Sequence, residues 1–141
     1  MFIDCHSHLD GFPDPEVAGI LDRAVETGVG AVITTGTTLE SSLRAVHLAS
    51  VFPRIFAGVG IHPQDVTGPI DESLYGRLRD LACSSDRVIV MSEIGLDFQE
   101  KSPDRAVQYQ AFREQVRLAR ELSFPVVFHS REAHEETLRV L

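Results

Sequence analysis

The sequence predicts an α/β fold built from parallel βα units. Short β-branched runs alternate with longer segments of helical periodicity, an order that favours βαβ units over a sandwich or a bundle. Histidine or glutamate recurs at the carboxyl ends of those runs, where ligand sites form in parallel sheets. With 43% hydrophobic and 24% charged residues, the 141 residues have the balance of one globular domain, expected to span residues 1–141.

Five strands are expected: Phe2 to Cys5, Ala31 to Thr35, Ile55 to Ile61, Val88 to Glu93 and Val126 to His129. Asp14 and Pro15 read as an N-cap followed by proline at the first helical position, and Gly28 ends that first helix. The second helix runs from about Leu39 and stops before Pro53. The third, near Ser73 to Cys83, buries Leu74, Leu78 and Leu81, with Gly76 weakening it. Ser102 and Pro103 open the fourth, whose face carries Tyr109, Phe112, Val116 and Ala119 and which closes near Leu122, before Pro125. A fifth begins near Arg131. Such units fit either an open doubly wound sheet or the start of an eight-stranded barrel of about 250 residues. Neither GxGxxG nor GxxxxGK[ST] follows the first strand, so nothing but layer order favours nucleotide binding.

Composition excludes several function classes. A formal charge of -8, from 13 Lys plus Arg against 21 Asp plus Glu, gives no general positive field for coating a duplex or an anionic membrane. No apolar run approaches the roughly 20 residues of a bilayer span. Cys5 and Cys83 form no CxxC, and Met1 leads directly into Phe2-Ile3-Asp4 without a signal-like start, so a cytoplasmic protein with no membrane partner is expected.

The chemistry gathers at strand ends. His6 and His8, two apart on a strand, project to one face and can share a cation. His62, Glu93 and His129 end the third, fourth and fifth strands, so four of the five strands deliver a ligand-type side chain at the same height. By alternation, Phe2 and Asp4 share the face of His6, Gly58 and Gly60 that of His62, and Ile89 and Met91 that of Glu93. Imidazole and carboxylate suit Zn, Mn, Fe or Ni. Asp4 is either a partner that fixes a histidine tautomer or a polar group beside a strand.

Four segments then carry a resemblance: Asp4-Cys5-His6-Ser7-His8-Leu9, Val59-Gly60-Ile61-His62-Pro63, Glu93-Ile94-Gly95-Leu96-Asp97 and Phe124 to Ala133 with its core Phe128-His129-Ser130-Arg131. In order and spacing they resemble the TatD family of metal-dependent deoxyribonucleases, among the amidohydrolase-like barrels. The resemblance covers the whole chain and implies parallel βα units of a TIM-type barrel, truncated after the fifth unit. It implies that His6 and His8 ligate one metal, Glu93 bridges two or ligates one and takes part in catalysis, and His129 ligates the second. His62 and Arg131 would touch substrate phosphate. One or two divalent ions (Mg, Mn or Zn) and DNA ends or short nucleic acids as substrate follow from the same resemblance. Ser92 stands where the family usually has glycine.

The family also carries a histidine after strand six and an aspartate after strand eight, and neither has a counterpart here. His134 and His47 read as solvated helix positions, and Asp97, Glu100 and Asp104 as loop hydrogen-bonders or helix N-terminal charges. Two other classes fit the motifs: an amidohydrolase-type esterase or amidase, and a noncatalytic fragment with an incomplete metal site. Five strands cannot close a barrel, so Phe2, Met91 and Val127 are expected to face an open interior, covered by a missing C-terminal segment or by a second copy in a homo-oligomer.

Overall fold

The computed structural model describes residues 1–141, and its elements follow one another as repeated βα units. The strands are β1 (Phe2–Ser7), β2 (Val29–Thr35), β3 (Ile55–Val59), β4 (Val88–Asp97) and β5 (Val126–Arg131). The helices are α1 (Asp14–Glu26), α2 (Leu39–Val51), α3 (Glu72–Ala82), α4 (Arg105–Leu122) and α5 (His134–Val140), with a 3-10 turn at Pro63–Asp65. All neighbouring strands pair in parallel in the order β1-β2-β3-β4-β5. This is the arrangement of the first five units of a barrel.

One face of the sheet is the core. Ile55, Ala57 and Val59 of β3 are fully buried, and with Val88, Met91, Ile94 and Leu96 of β4 they belong to the cluster that contains Leu48, Leu78, Phe112 and Leu118 of the helices. Each such Leu or Ile contributes roughly 1.5–3 kcal/mol by leaving water. The intervening residues point the other way. A Cβ on Gly58 would meet Thr35, Val90 and Ser92, which marks those three as neighbours on the opposite face. At the outer strands the packing thins on both sides: Phe128 of β5 is 44% exposed and Phe2 of β1 71%.

Here the alternation expected for β4 fails. Its register shifts between Ala57/Gly58 of the β3 pairing and again between Met91/Ile94 of the β5 pairing, so Met91 turns into the helix-facing core and Ser92 takes the opposite face beside Gly58. Phe2 is exposed as expected and Val127 half-buried, but Met91 is not.

Helix starts also move by a few residues, for reasons visible in their side chains. Pro13, not Asp14, is the N-cap of α1, because the Asp14 carboxylate turns to Arg44 at 2.6 Å instead of to its own helix. Asp104 caps α4 by accepting from the Ala106 and Val107 N–H groups, while the Ser102 hydroxyl is engaged elsewhere. β5 runs on to Arg131, so α5 begins at His134. A Cβ on Gly76 would meet nothing within 4 Å, and α3 passes through the glycine intact. No helix is long and apolar enough to cross a membrane.

Candidate metal centre

Glu93 is the hub of the carboxyl-end cluster. Its Oε2 lies 3.2 Å from His6 Nε2 and 3.7 Å from His8 Nε2, and its Oε1 lies 3.2 Å from His129 Nδ1 and 4.0 Å from His62 Nε2. The β4 irregularity beside Ser92 aims it there, since strict alternation from Met91 would not. Exposure is graded across the cluster: the side chains of His6 and His8, at the end of the outer strand, are 35% and 44% exposed, whereas His62 and His129 are 11% and 13%. The His6 and His8 rings stand edge to face with centroids 4.9 Å apart, as do His62 and His129 at 4.4 Å.

Hydrogen bonds mark the free nitrogen on His8, His62 and His129. The Thr35 carbonyl, 3.1 Å from His8 Nδ1, can only accept, so Nδ1 carries the proton and Nε2 presents a lone pair toward Glu93. His62 is the reverse: the Gln64 backbone N–H donates to its Nδ1, leaving Nε2 as the N–H that faces the cluster. Burial first, and then the neighbouring His129, hold His62 below the ordinary histidine range, with Glu93 and two aspartates pulling the other way. His62 is therefore a neutral donor. Asp4, whose role the alternation left open, accepts from the His6 backbone N–H at 3.1 Å.

His129 is held from both sides, with Nε2 2.9 Å from Asp97 Oδ2 and Nδ1 against Glu93. Asp97 is fully buried, and its Oδ1 accepts from the Gln99 N–H and from the Ser102 hydroxyl. Burial alone would raise its carboxyl; donation from Gln99, Ser102 and His129 together outweighs that and keeps it below the usual carboxylate range. Asp97 does bond the loop through Gln99 and Ser102, as the sequence suggests, but it is the last residue of β4 and its other oxygen holds His129. The missed signal was its place four residues after Glu93 on one extended strand.

A divalent cation fits these donors. His6, His8 and Glu93 offer ligand atoms within 4.8 Å of one another, as do His62, Glu93 and His129, and the two groups share Glu93. The His62 lone pair is already taken by Gln64, which leaves it out of the second group as a ligand. With Asp97 accepting at Nε2, His129 Nδ1 is the ring atom that faces Glu93 Oε1, and His8 Nε2 faces Glu93 Oε2 in the same way. Each of these pairs holds together around one positive charge, a ring proton or a cation in its place.

Two buried glutamines of α4 brace the rim. Gln115 accepts from the Ile61 N–H at 2.7 Å and donates back to the Ile61 carbonyl, fixing the chain just before His62. Gln108 does the same for Asp97, accepting from its N–H and donating to its carbonyl, both at 2.8 Å. Arg131 extends its guanidinium, 48% exposed, to Gln99 Oε1 at 2.9 Å and toward Asp97 Oδ2 at 3.7 Å. Ser92 adds no contact to the cluster: its Oγ is buried without a hydrogen-bond partner. His134 bonds the Ser130 hydroxyl, and His47 stands beside Asp14; neither joins the cluster.

Residues 3–141 match the family described as TatD related DNase. The 3'-5' ssDNA/RNA exonuclease TatD of Cronobacter turicensis is 41% identical over 122 residues, which are 86% of this chain and 46% of that protein. The uncharacterized metal-dependent hydrolase YabD of Bacillus subtilis is 29% identical over 143 residues, 100% of this chain and 55% of that one. The solved structure of YjjV, a TatD homologue from Escherichia coli K12, superposes with a TM-score of 0.86 at 30% identity, covering 98% of this chain and 54% of that chain. A TatD family hydrolase from Entamoeba histolytica, at 22% identity and a TM-score of 0.87 over 99% of this chain and 52% of that chain, shares the fold. The chain spans about half the length of the curated relatives it matches.

Proposed function

This chain belongs to the TatD-related DNase family, and from that premise we propose that its carboxyl-end cluster hydrolyses phosphodiester bonds of nucleic acid with one or two divalent cations. The observation that carries the reading is the convergence of imidazole nitrogens on both oxygens of Glu93. His6 and His8 would hold one cation with Glu93 Oε2, and His129 a second with Oε1, so that Glu93 serves both. A divalent cation bound there supplies Lewis acidity toward water and toward a phosphate oxygen.

The remaining groups handle the substrate. His62 points a neutral Nε2–H into the cluster, suited to a nonbridging phosphate oxygen whose charge grows during attack. Arg131 offers a half-exposed guanidinium at the rim for the same or the adjacent phosphate. With a net charge of -8, attraction for the polyanion is confined to this rim and to the bound cations. That favours gripping the end of a single strand over tracking along a duplex. A 3′ end of DNA is the substrate we assign, in keeping with the exonuclease name of the Cronobacter relative.

The test is a 5′-labelled single-stranded oligonucleotide incubated with the chain and Mn, Mg or Zn. Stepwise shortening from the 3′ end is expected, stopped by chelator and by Glu93→Gln. Hydrolysis of aryl esters or lactones with the oligonucleotide left intact would instead select the amidohydrolase-type esterase reading.

A further inference from the structure

We propose that Asp97 is a positioning residue that sets the tautomer of His129 and thereby aims its Nδ1 lone pair at the cation shared with Glu93. The inference rests on the metal reading of the cluster given above. Asp97 has no exposed surface, so it meets neither solvent nor substrate directly. It acts through His129, which it touches at 2.9 Å.

The construction around Asp97 makes its two oxygens unequal. Oδ1 takes two donors, the Gln99 N–H at 3.1 Å and the Ser102 hydroxyl at 2.8 Å. Oδ2 is left for His129 Nε2, with the Arg131 guanidinium 3.7 Å away. The strand itself cannot slide, because Gln108, also fully buried, holds the Asp97 N–H and carbonyl together and ties them to the Pro103 carbonyl at 2.7 Å. A carboxylate fixed in this way accepts and never donates, so a neutral His129 keeps its proton on Nε2 and its lone pair on Nδ1. A surface aspartate would not exert this control, since water would compete for the ring.

Asp97→Asn turns that asymmetry into a test. The amide oxygen is required on the Oδ1 side by its two donors, so the amide NH2 faces His129 Nε2. The ring must then accept there and carry its proton on Nδ1, pointed at Glu93. Zinc titration calorimetry is expected to show affinity lowered about 10–100-fold, while the metal-free variant still unfolds in one cooperative transition. Unchanged zinc affinity in the folded variant would overturn the proposal, as would a loss explained wholly by a smaller folded fraction. Nitrogen-15 NMR of the metal-free chains at alkaline pH reads the tautomer itself: Nε2–H in the parent chain and Nδ1–H in Asp97→Asn are expected, and the same tautomer in both overturns it. A parent chain that binds no zinc would remove the metal reading, and the NMR result would still decide the role of Asp97. Should Asp97→Asn not fold, the parent chain alone decides: Nε2–H on metal-free His129 is expected, and Nδ1–H there overturns the proposal.

Discussion

Glu93 Oε1 and His129 Nδ1 lie 3.2 Å apart although they come from residues 36 positions apart in the chain, and the pairing exists because β4 and β5 are parallel neighbours in register at Gly95 and His129. The same carboxylate reaches His6 on β1, at the opposite edge of the sheet, with its other oxygen. The curvature that brings the outer strands within reach of one carboxylate is that of a barrel wall.

Glu93→Gln keeps the shape of the side chain and removes its charge. In the parent chain a cation at about 100 times its dissociation constant is expected to add ~2.7 kcal/mol of stability. Thermal unfolding with and without Mn measures this. The variant is expected to lose most of that increment, and an equal shift in both chains would contradict the role given to Glu93.

Ser92→Ala is expected to be neutral or stabilising by about 1 kcal/mol, because a buried hydroxyl without a partner carries an uncompensated desolvation cost. The Cβ that packs toward Gly58 is retained. Urea unfolding gives the difference, and a loss beyond about 1 kcal/mol would mean that the hydroxyl has a partner, such as a buried water.

Gln115→Leu leaves the Ile61 N–H and carbonyl unpaired beside α4, each worth about 1–3 kcal/mol when buried. Destabilisation of that size is expected in urea. Because Ile61 precedes His62, weakened phosphate binding should accompany it while zinc affinity stays within a few fold of the parent. Loss of zinc binding in the folded variant would place His62 among the ligands instead.

The Arg44 guanidinium, hydrogen-bonded to Asp14, holds that carboxyl below its ordinary value of 3.8. The folded value is the depressed one. Any stabilisation is therefore complete above about pH 4 and fades as pH falls through the folded value. Arg44→Ala is expected to return Asp14 toward 3.8 in an NMR titration. The pair is half-exposed and screened by solvent, so the unfolding midpoint at pH 7 should barely move.

The residues of the cluster were legible because each ends an apolar run, and parallel topology puts all such ends on one rim. The HxH pair, His62, Glu93 and His129 needed no more than that. What escaped sequence reading depends on register. Asp97 reaches His129 only because β4 continues past Glu93 and pairs with β5 through Asp97 and Arg131. Met91 leaves the face of Glu93 because strict alternation breaks at an irregularity in β4 that no residue type announces. Gln108 and Gln115 read as polar positions on a helix, yet both are buried as braces for other strands, a role that exists only once α4 packs on the sheet. The helix starts moved because Asp14 and Ser102, both good caps in isolation, found stronger tertiary partners in Arg44 and Asp97.

The central claim is that a divalent cation belongs between Glu93 and the histidines around it. Crystals of the chain grown with manganese, and diffraction data collected for the manganese anomalous signal, test it most directly. The account expects an anomalous peak at ligand distance from the Glu93 carboxylate and from His6 and His8, His129 Nδ1, or both. A map without a peak there, with Glu93 Oε1 still bonded directly to His129, would contradict it.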